Sequence, residues 1–246
     1  MSQAERPFAV FDIDGTVIRW QLFHAIVDEL IAGNKLPKSV GASIKAARMT
    51  WKKRNSSNSY KDYEHHVWQS YMAAVTEISI VDLEQAVSAV FEKYKDQVYT
   101  YTRNLIRDLK AKGYLLLAVS GSHHEIVSKL ADYYGFDDSI GTQYVRKNGA
   151  FTGEEIAVVT RKDEALQELV SKHSVTWKGS IGVGDARSDA AMLKLVENPI
   201  AFNPNQELFE IAQENSWKVV VERKNMIYEL EKAGGVYALT GCSDAG

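Results

Sequence analysis

The chain of 246 residues has a single cysteine, Cys242, so no disulfide can form within it. One thiol favours a reducing compartment, and we expect a cytoplasmic protein. The N-terminal residues lack the basic region and apolar run of a secretory leader. The longest notable apolar run, residues 114–119, is too short to cross a bilayer. The sequence therefore predicts neither secretion nor a transmembrane segment.

The sequence also lacks a large excess of charge of either sign. Its formal net charge is −3, with 45% hydrophobic and 25% charged residues, which is typical of a soluble globular protein. Such a balance gives no general attraction to nucleic acid or to a membrane surface. We predict no nucleic-acid partner, and the composition leaves the oligomeric state open.

Short apolar runs alternate with helical patterns over much of the chain. The runs at 8–11, 114–119, 180–183 and 200–202 are almost continuously apolar, as in strands buried on both faces of a parallel sheet. Helical patterns cover 102–111, 122–134, 162–172 and 189–196. The alternation predicts an α/β fold with a doubly wound parallel sheet.

One long segment breaks this alternation. Residues 18–97 contain helical patterns at 20–32, 40–53, 60–75 and 80–94 and no good strand. Ser79 and Asp82 resemble a capping box before the last of these. We predict a helical cap over 18–97, inserted into a catalytic core of residues 1–17 and 98–246. The Asn148-Gly149 turn predicts a small β-hairpin over 143–152, and we expect the tail after Leu239 to be frayed.

Two carboxylates one residue apart follow the first strand. Asp12 and Asp14 should point to the same side of an extended chain, where they repel each other. An Asp-x-Asp pair also occurs in turns and calcium loops. Asp185 and Asp189 follow a second strand, and ligands of such sheets bind beyond the carboxyl ends of the strands. A hard cation with oxygen ligands relieves the repulsion, and Mg²⁺ suits a site shared with phosphate.

The stretch Asp12-Ile13-Asp14-Gly15-Thr16 resembles the first motif of the haloacid dehalogenase superfamily of phosphotransferases. Three further motifs of that superfamily follow in order. They are Val119-Ser120-Gly121-Ser122, Lys162 at a helix start, and Gly184-Asp185-Ala186-Arg187-Ser188-Asp189. A cap between the first and second motifs is similar to that of the branch containing phosphoserine phosphatase.

This resemblance implies distinct roles for the acids. Asp12 would attack phosphorus to give an aspartyl phosphate, and Asp14 would serve as general acid and base. The carboxylates of Asp12 and Asp185 and the backbone carbonyl of Asp14 would bind Mg²⁺. Asp189 would orient a metal-bound water.

The resemblance also implies how the phosphate is bound. The Ser120 hydroxyl and the Gly121 backbone N–H would donate to it, and Lys162 would neutralise charge on it and on Asp12. Arg161 is an adjacent alternative to Lys162.

Further polar residues flank these motifs. Ser122 and Glu125 fit the S-x-x-E capping box, so we predict that Ser122 caps a helix. Ser188 stands where many members of the superfamily have asparagine, and it can bond to solvent or phosphate. His123 and His124 either reach the mouth of the site or lie in an exposed capping turn.

The substrate is a small phosphorylated metabolite on this reading. Phosphoserine phosphatases carry a glutamate for the substrate amine at the position of Gln21, and an arginine after a pattern like Tyr60-Lys61. Neither is present here, which disfavours phosphoserine. Residues 35–61 contain eight basic residues and no acid. This segment is either a solvated helix face or a contact for a substrate with a flat ring or additional negative charge.

These patterns favour a Mg²⁺-dependent phosphomonoester hydrolase. A phosphotransferase or mutase on the same scaffold, in which an alcohol accepts the phosphoryl group, stays open. A non-catalytic anion-binding module is the alternative from another class. Dehalogenation is disfavoured because it requires neither a Mg²⁺ site nor a second aspartate such as Asp14.

Overall fold

The computed structural model describes residues 6–245 and divides the chain into two compact units. Unit 1 contains residues up to Gln21, 94–142 and 157 onward, and unit 2 contains 22–93 and 143–156. Unit 2 therefore begins four residues later than the predicted cap. It also includes the hairpin segment 143–156, whereas the sequence predicts that the hairpin belongs to the core. Residues 1–5 lie outside the described residues. They belong to the predicted core and to the N-terminal stretch in which the sequence predicts no secretory leader.

Unit 1 is built on a largely parallel sheet with the strand order β3-β2-β1-β5-β6-β7-β8-β9. The pairs from β3 to β7 are parallel, and β8 and β9 are added antiparallel. The strand bounds are β1 Pro7–Phe11, β2 Leu115–His123, β3 Asp138–Lys147, β5 Thr176–Gly184, β6 Asn198–Phe202, β7 Lys218–Arg223, β8 Met226–Ala233 and β9 Val236–Asp244.

Helices cover this sheet and bury its central strands. They are α5 Thr100–Ala111, α6 His124–Tyr134, α7 Lys162–His173, α8 Ala190–Leu193 and α9 Gln206–Asn215. Phe8 and Val10 of β1 pack in one cluster with Leu117 of β2 and Leu166 of α7, all at most 2% exposed. Central strands buried in this way are typical of parallel sheets. The predicted doubly wound α/β fold is confirmed.

Unit 2 contains four helices and a hairpin. The helices are α1 Leu22–Ala32, α2 Lys38–Lys52, α3 Ser59–Ala74 and α4 Ile80–Tyr94, the last residue of which belongs to unit 1. Ser79 Oγ accepts from the backbone N–H of Asp82 at 3.0 Å, as the capping pattern predicts. The end of β3 pairs antiparallel with β4, Ala150–Ile156. Asn148 and Gly149 both have positive φ, as a type I′ turn requires.

Two expectations about local structure are wrong. Residues 240–244 are not frayed, because β9 extends to Asp244 and pairs with β8 along its length, and Gly246 lies outside the described residues. Most side chains of β9 are exposed, so the strand is stabilised by backbone pairing and not by burial. Its sequence therefore lacks the apolar alternation that would predict a strand. The helix expected over 189–196 is only the single turn α8, preceded by a 3₁₀ turn at Arg187–Asp189. Among residues 6–245, no helix combines the length and apolarity that crossing a membrane requires.

Candidate active site

The polar motifs of unit 1 meet beyond the carboxyl ends of β1, β2 and β5. Asp12 and Asp14 follow β1, and Asp185 follows β5. The backbone N–H of Asp12 donates to the carbonyl of Val183 at 2.9 Å, which extends the pairing of β1 with β5 to the first carboxylate. The sheet therefore brings together acids that are more than 170 positions apart in sequence.

Lys162 joins Asp12 to a fourth acid, Asp189. Its Nζ lies 2.6 Å from Asp12 Oδ1 and 2.5 Å from Asp189 Oδ1, and all three side chains are almost fully buried. Asp189 Oδ2 accepts from the backbone N–H groups of Asp185 and Ala186, each at 2.9 Å. Asp189 thus connects the lysine to the loop that carries Asp185. Lys162 opens α7, as predicted, whereas Arg161 contacts Glu164 at 3.6 Å.

Asp14 is held separately by two hydroxyl groups. Ser120 Oγ donates to Asp14 Oδ2 at 2.7 Å, and Ser122 Oγ donates to Asp14 Oδ1 at 3.0 Å. The backbone N–H of Ser122 donates to Ser120 Oγ at 3.0 Å. The two serines therefore fix both oxygens of the Asp14 carboxylate.

The prediction that Ser122 caps a helix is wrong. Strand β2 continues to His123 and helix α6 begins at His124, so the N-cap position is His123, whose side chain makes no capping hydrogen bond, and Ser122 belongs to the strand. Since alternate strand residues point to the same side, Ser120 and Ser122 both face Asp14. His123 is fully buried rather than exposed, and His124 Nδ1 accepts from the backbone N–H of Gly141 at 3.3 Å.

Two glycines allow the acids to approach the backbone. Gly15 has a φ of +77°, and a Cβ there would lie 2.2 Å from Asp185 Oδ2. A Cβ at Gly184 would lie 2.5 Å from the Cβ of Asp189. Gly15 therefore supplies both a left-handed turn and the space for the Asp185 carboxylate.

Burial and mutual repulsion dominate the electrostatics of the cluster. Burial raises the pKa of Asp12 to about 8, against the lowering effect of Lys162, and Asp189 and Asp14 raise it further. Burial also raises the pKa of Asp185 well above its usual range, with Asp12 and Asp189 adding to the effect. Burial opposes the charge of Lys162, yet Asp12 and Asp189 raise its pKa above the ordinary value. One lysine thus faces more acids than it can neutralise.

The surplus of acids fits a divalent cation. Carboxylate oxygens of Asp12, Asp185 and Asp189 lie within 4.8 Å of one another. The Asp185 carboxylate accepts no hydrogen bond from residues 6–245, so its oxygens are open to a ligand. A donor set of oxygens alone suits Mg²⁺. Both Asp189 oxygens already accept hydrogen bonds, which leaves Asp12 and Asp185 as the more available ligands.

The three remaining predicted site residues, Gly121, Gln21 and Ser188, make no described contact with the acid cluster. Gly121 follows Ser120 on β2 and is half-buried, and its missing Cβ would lie 3.2 Å from that of Val159. Gln21 is half-buried at the last position of unit 1 before α1. Ser188 is half-buried in the 3₁₀ turn before α8. The described contacts bring neither Gln21 nor Ser188 to the acid cluster.

Comparison with known proteins assigns the chain to a family. Residues 9–194 match the haloacid dehalogenase-like hydrolases, and this span contains all four motifs. The chain belongs to this family. It is 23% identical over 211 residues to a phosphoserine phosphatase of Archaeoglobus fulgidus, covering 85% of this chain and 56% of that protein. It is 24% identical over 220 residues to a histidinol-phosphatase of Neisseria meningitidis serogroup C, covering 86% of this chain and 97% of that protein.

Solved structures of other proteins share the fold. A Bordetella pertussis protein of unknown function superimposes with a TM-score of 0.71 at 20% identity, covering 88% of this chain and 98% of that one. A phosphoserine phosphatase with an analogue of its phospho-aspartyl intermediate gives a TM-score of 0.59 at 21% identity, covering 90% and 95%. The chain spans 56% of the archaeal phosphoserine phosphatase and 41% of one from Mycobacterium tuberculosis.

Proposed function

We propose that this protein is a Mg²⁺-dependent phosphomonoester hydrolase that acts through an aspartyl phosphate on Asp12. The observation that carries the proposal is the division of the acids into two environments. Asp12 lies beside Lys162 and near Asp185, while Asp14 is held apart by the hydroxyls of Ser120 and Ser122. Two carboxylates in different surroundings are suited to different chemical roles.

The carboxylates of Asp12 and Asp185 would hold Mg²⁺ together with the backbone carbonyl of Asp14. When bound, the cation offsets the negative charge of the acids and of the phosphate and polarises the P–O bonds. Asp189 keeps the Asp185 loop in place through its two backbone hydrogen bonds and would orient a water on the cation.

Asp12 is the proposed nucleophile. A carboxylate oxygen of Asp12 forms a bond to phosphorus as the ester P–O bond breaks, and Asp14 donates a proton to the departing alcohol oxygen. Water then attacks the phosphoryl group, Asp14 takes up its proton, and inorganic phosphate leaves with Asp12 restored. The two serine hydroxyls hold the Asp14 carboxylate in position for both proton transfers.

Lys162 and the end of β2 are proposed to bind the phosphoryl oxygens. Lys162 carries a fixed positive charge next to Asp12, where negative charge changes during the transfer. The Gly121 backbone N–H is the proposed donor at the end of β2. The single proton of the Ser120 hydroxyl is directed to Asp14, so a bond from Ser120 to the phosphate requires this hydroxyl to rotate.

For the substrate we propose a small phosphorylated metabolite with a flat ring, and not phosphoserine. Helix α3 has no arginine, and the guanidinium of Arg48 on α2 is already bonded to Asp28 at 2.5 Å and to the Tyr63 hydroxyl at 2.8 Å. Unit 2 contains an aromatic cluster of Trp51, Tyr60, Tyr63 and His24, with ring centroids 5.0–6.4 Å apart. Such rings can stack on a planar group. The relative named histidinol-phosphatase adds support.

The basic segment 35–61 carries less net charge than its sequence indicates. Lys35 pairs with Asp82 at 2.7 Å, and Arg48 pairs with Asp28 at 2.5 Å, so acids outside the segment neutralise two of its cations. The exposed Lys52, Lys53 and Arg54 at the end of α2 stay available to an anionic group. The proposed substrate is therefore defined by its ring and not by extra negative charge.

The test is phosphate release from histidinol phosphate, phosphoserine, nucleotides and sugar phosphates, with Mg²⁺ or EDTA. We expect Mg²⁺-dependent turnover that is highest for a ring-bearing substrate and is abolished in Asp12→Asn. Product analysis with added alcohols separates hydrolysis from transfer, because a transferase gives a new phosphate ester. Equal activity of wild type and Asp12→Asn would overturn the proposed chemistry.

A further inference from the structure

The chain leaves unit 1 at Gln21 and returns at Tyr94, and the two crossover segments, residues 17–20 and 94–99, lie side by side. The backbone N–H of Arg19 donates to the carbonyl of Gln97 at 2.8 Å, and that of Tyr99 donates to Val17 at 3.1 Å. The Trp20 ring stacks on Tyr94 with centroids 5.9 Å apart. The crossover is thus a short antiparallel ribbon within unit 1.

The side chain of Arg19 ties this ribbon to the sheet. Its Nε donates to the carbonyl of Val98 at 2.7 Å, and its guanidinium lies over the Tyr99 ring, 4.7 Å from the centroid. Its Nη2 donates to Oε1 of Glu222 on β7, which is 203 positions away in sequence. Arg19, which lies on the outgoing segment, therefore contacts both the returning segment and strand β7 of the sheet.

Glu222 completes the connection from the other side. Its side chain is fully buried, and its carboxylate also accepts from the backbone N–H groups of Thr100 at 3.2 Å and Tyr101 at 2.9 Å. These N–H groups open α5 directly after the returning segment, where a carboxylate is favoured by the helix dipole. Because the Glu222 carboxylate is buried, removing its donors would leave a buried charge unpaired, which costs stability.

The same region reaches the loop of the acid cluster. The backbone N–H of Glu222 donates to Asn203 Oδ1 at 2.8 Å. Two residues further on, the backbone N–H of Asn205 donates to the carbonyl of Asp185 at 2.9 Å. The crossover and the metal-ligand loop therefore share one hydrogen-bonded segment between β6 and α9.

We propose that Arg19 and Glu222 form a positioning clasp, which fixes the two crossover segments of unit 1 to β7 and to the first turn of α5 and so anchors both ends of the inserted segment 22–93 during turnover. The kinetic consequence rests on the proposed function, because unit 2 is expected to contact the organic part of the substrate. The structural consequence, slower opening of the crossover segments, is independent of the proposed function. Neither residue touches the acid cluster, so the clasp acts through the crossover and not on the reacting atoms.

Hydrogen exchange tests the clasp without reference to activity. Arg19→Ala removes one side of it and leaves Glu222 bonded to the first turn of α5, so the helix cap is retained. Since a hydrogen bond to a charged group contributes about 1.5–3 kcal/mol, exchange in peptides covering 17–21 and 94–99 should rise at least about tenfold. Exchange in β1 and β5 should not change.

A matched control breaks another ion pair of the same sheet. Glu229→Gln disrupts Lys218–Glu229, a 2.6 Å pair between β7 and β8, and should leave exchange in the crossover unchanged. The second clasp variant, Glu222→Gln, should raise exchange in the same peptides, and adding Arg19→Ala to it should change exchange little, because the charge that Arg19 contacts is already removed. Uniform acceleration across unit 1, or none in the crossover, would overturn the proposal.

A kinetic arm then compares two substrates. For the best metabolite of the panel, Arg19→Ala should lower kcat/KM about tenfold. Acetyl phosphate, which has almost no organic part to bind, should be hydrolysed at the wild-type rate. An equal loss on both substrates would show an effect on the acid cluster and contradict the clasp. If no phosphate ester is hydrolysed by wild type, the proposed function fails, while the exchange result still decides on the clasp.

Discussion

Ser122 Oγ donates to Asp14 Oδ1 at 3.0 Å, from a strand residue that lies 108 positions away in sequence. Ser120 Oγ donates to the other oxygen, Asp14 Oδ2, and the two hydrogen bonds together leave the Asp14 carboxylate little freedom to rotate. Proton donation to a leaving group requires such orientation, because a misplaced acid loses most of its contribution. The assignment of Asp14 as general acid and base thus depends on both serines.

We predict that Ser122→Ala lowers kcat about tenfold to a hundredfold and changes KM little, since a hydrogen bond to a charged group contributes about 1.5–3 kcal/mol. Steady-state kinetics on the best substrate measures this. Ser139→Ala, a half-buried residue of the neighbouring strand β3, is the control and should retain activity. A raised KM with unchanged kcat would instead place Ser122 in substrate binding.

The roles of Lys162 and Arg161 can be separated by substitution. Lys162→Met removes the one cation within hydrogen-bond distance of Asp12 and Asp189 among residues 6–245 and should lower kcat about 10²–10³-fold. Arg161→Gln removes only an exposed contact to Glu164 and should keep nearly full activity. Phosphate-release assays on both variants measure the difference. A larger loss in Arg161→Gln would reverse the assignment.

Gly15→Ala should disrupt the metal site through a steric effect. The new Cβ would lie 2.2 Å from Asp185 Oδ2, and the φ of +77° disfavours any side chain. We expect Mg²⁺ binding, measured by titration calorimetry, to be abolished or weakened by at least about tenfold, because the Asp185 carboxylate must move. Gly113→Ala shares the positive φ but meets nothing within 4 Å, so it controls for backbone strain. It should cost about 1–2 kcal/mol of stability and leave Mg²⁺ binding intact.

The sequence predicts the residues of the acid cluster well, but it predicts poorly the surrounding residues that hold the cluster and the crossover in place. Asp12 and Asp185 lie at strand ends, where the alternation of strands and helices alone indicates a common edge, whereas Lys162 follows only from the resemblance to the third motif of the superfamily. The prediction for Ser122 is wrong because S-x-x-E is also a capping pattern, and only the length of β2 decides between a cap and a strand residue. The Arg19–Glu222 pair joins residues 203 positions apart and follows no motif, so only the folded chain shows it.

The stability of the protein should depend on pH through His24 of unit 2. Burial lowers the pKa of His24 to about 4 from the ordinary value of 6.5, because it disfavours the charged ring, and Asp28 opposes this effect. The unfolded chain therefore binds a proton at a higher pH than the folded chain does. The resulting stability is present above pH 6.5 and is lost as the pH falls from 6.5 to 4, by up to about 3 kcal/mol.

Urea unfolding of wild type and His24→Phe at pH 7.5 and pH 4.5 measures this dependence. Phenylalanine keeps an aromatic ring beside Tyr63 but cannot titrate. We expect the variant to lose clearly less stability than wild type between the two pH values. His65→Phe, at an exposed position of α3, is the control and should behave as wild type. An equal loss in wild type and His24→Phe would contradict a neutral buried imidazole.

Asp185→Asn should have opposite effects on the metal-free and metal-bound protein. Without Mg²⁺, burial and the nearby Asp12 and Asp189 disfavour the Asp185 charge, so its removal should raise Tm. With Mg²⁺ at a hundred times Kd, the wild type gains about 2.7 kcal/mol, and the variant should gain almost none. Glu164→Gln, which changes an exposed acid outside the cluster, should keep the wild-type Mg²⁺ increment. A lower metal-free Tm together with a retained increment would exclude Asp185 as a ligand.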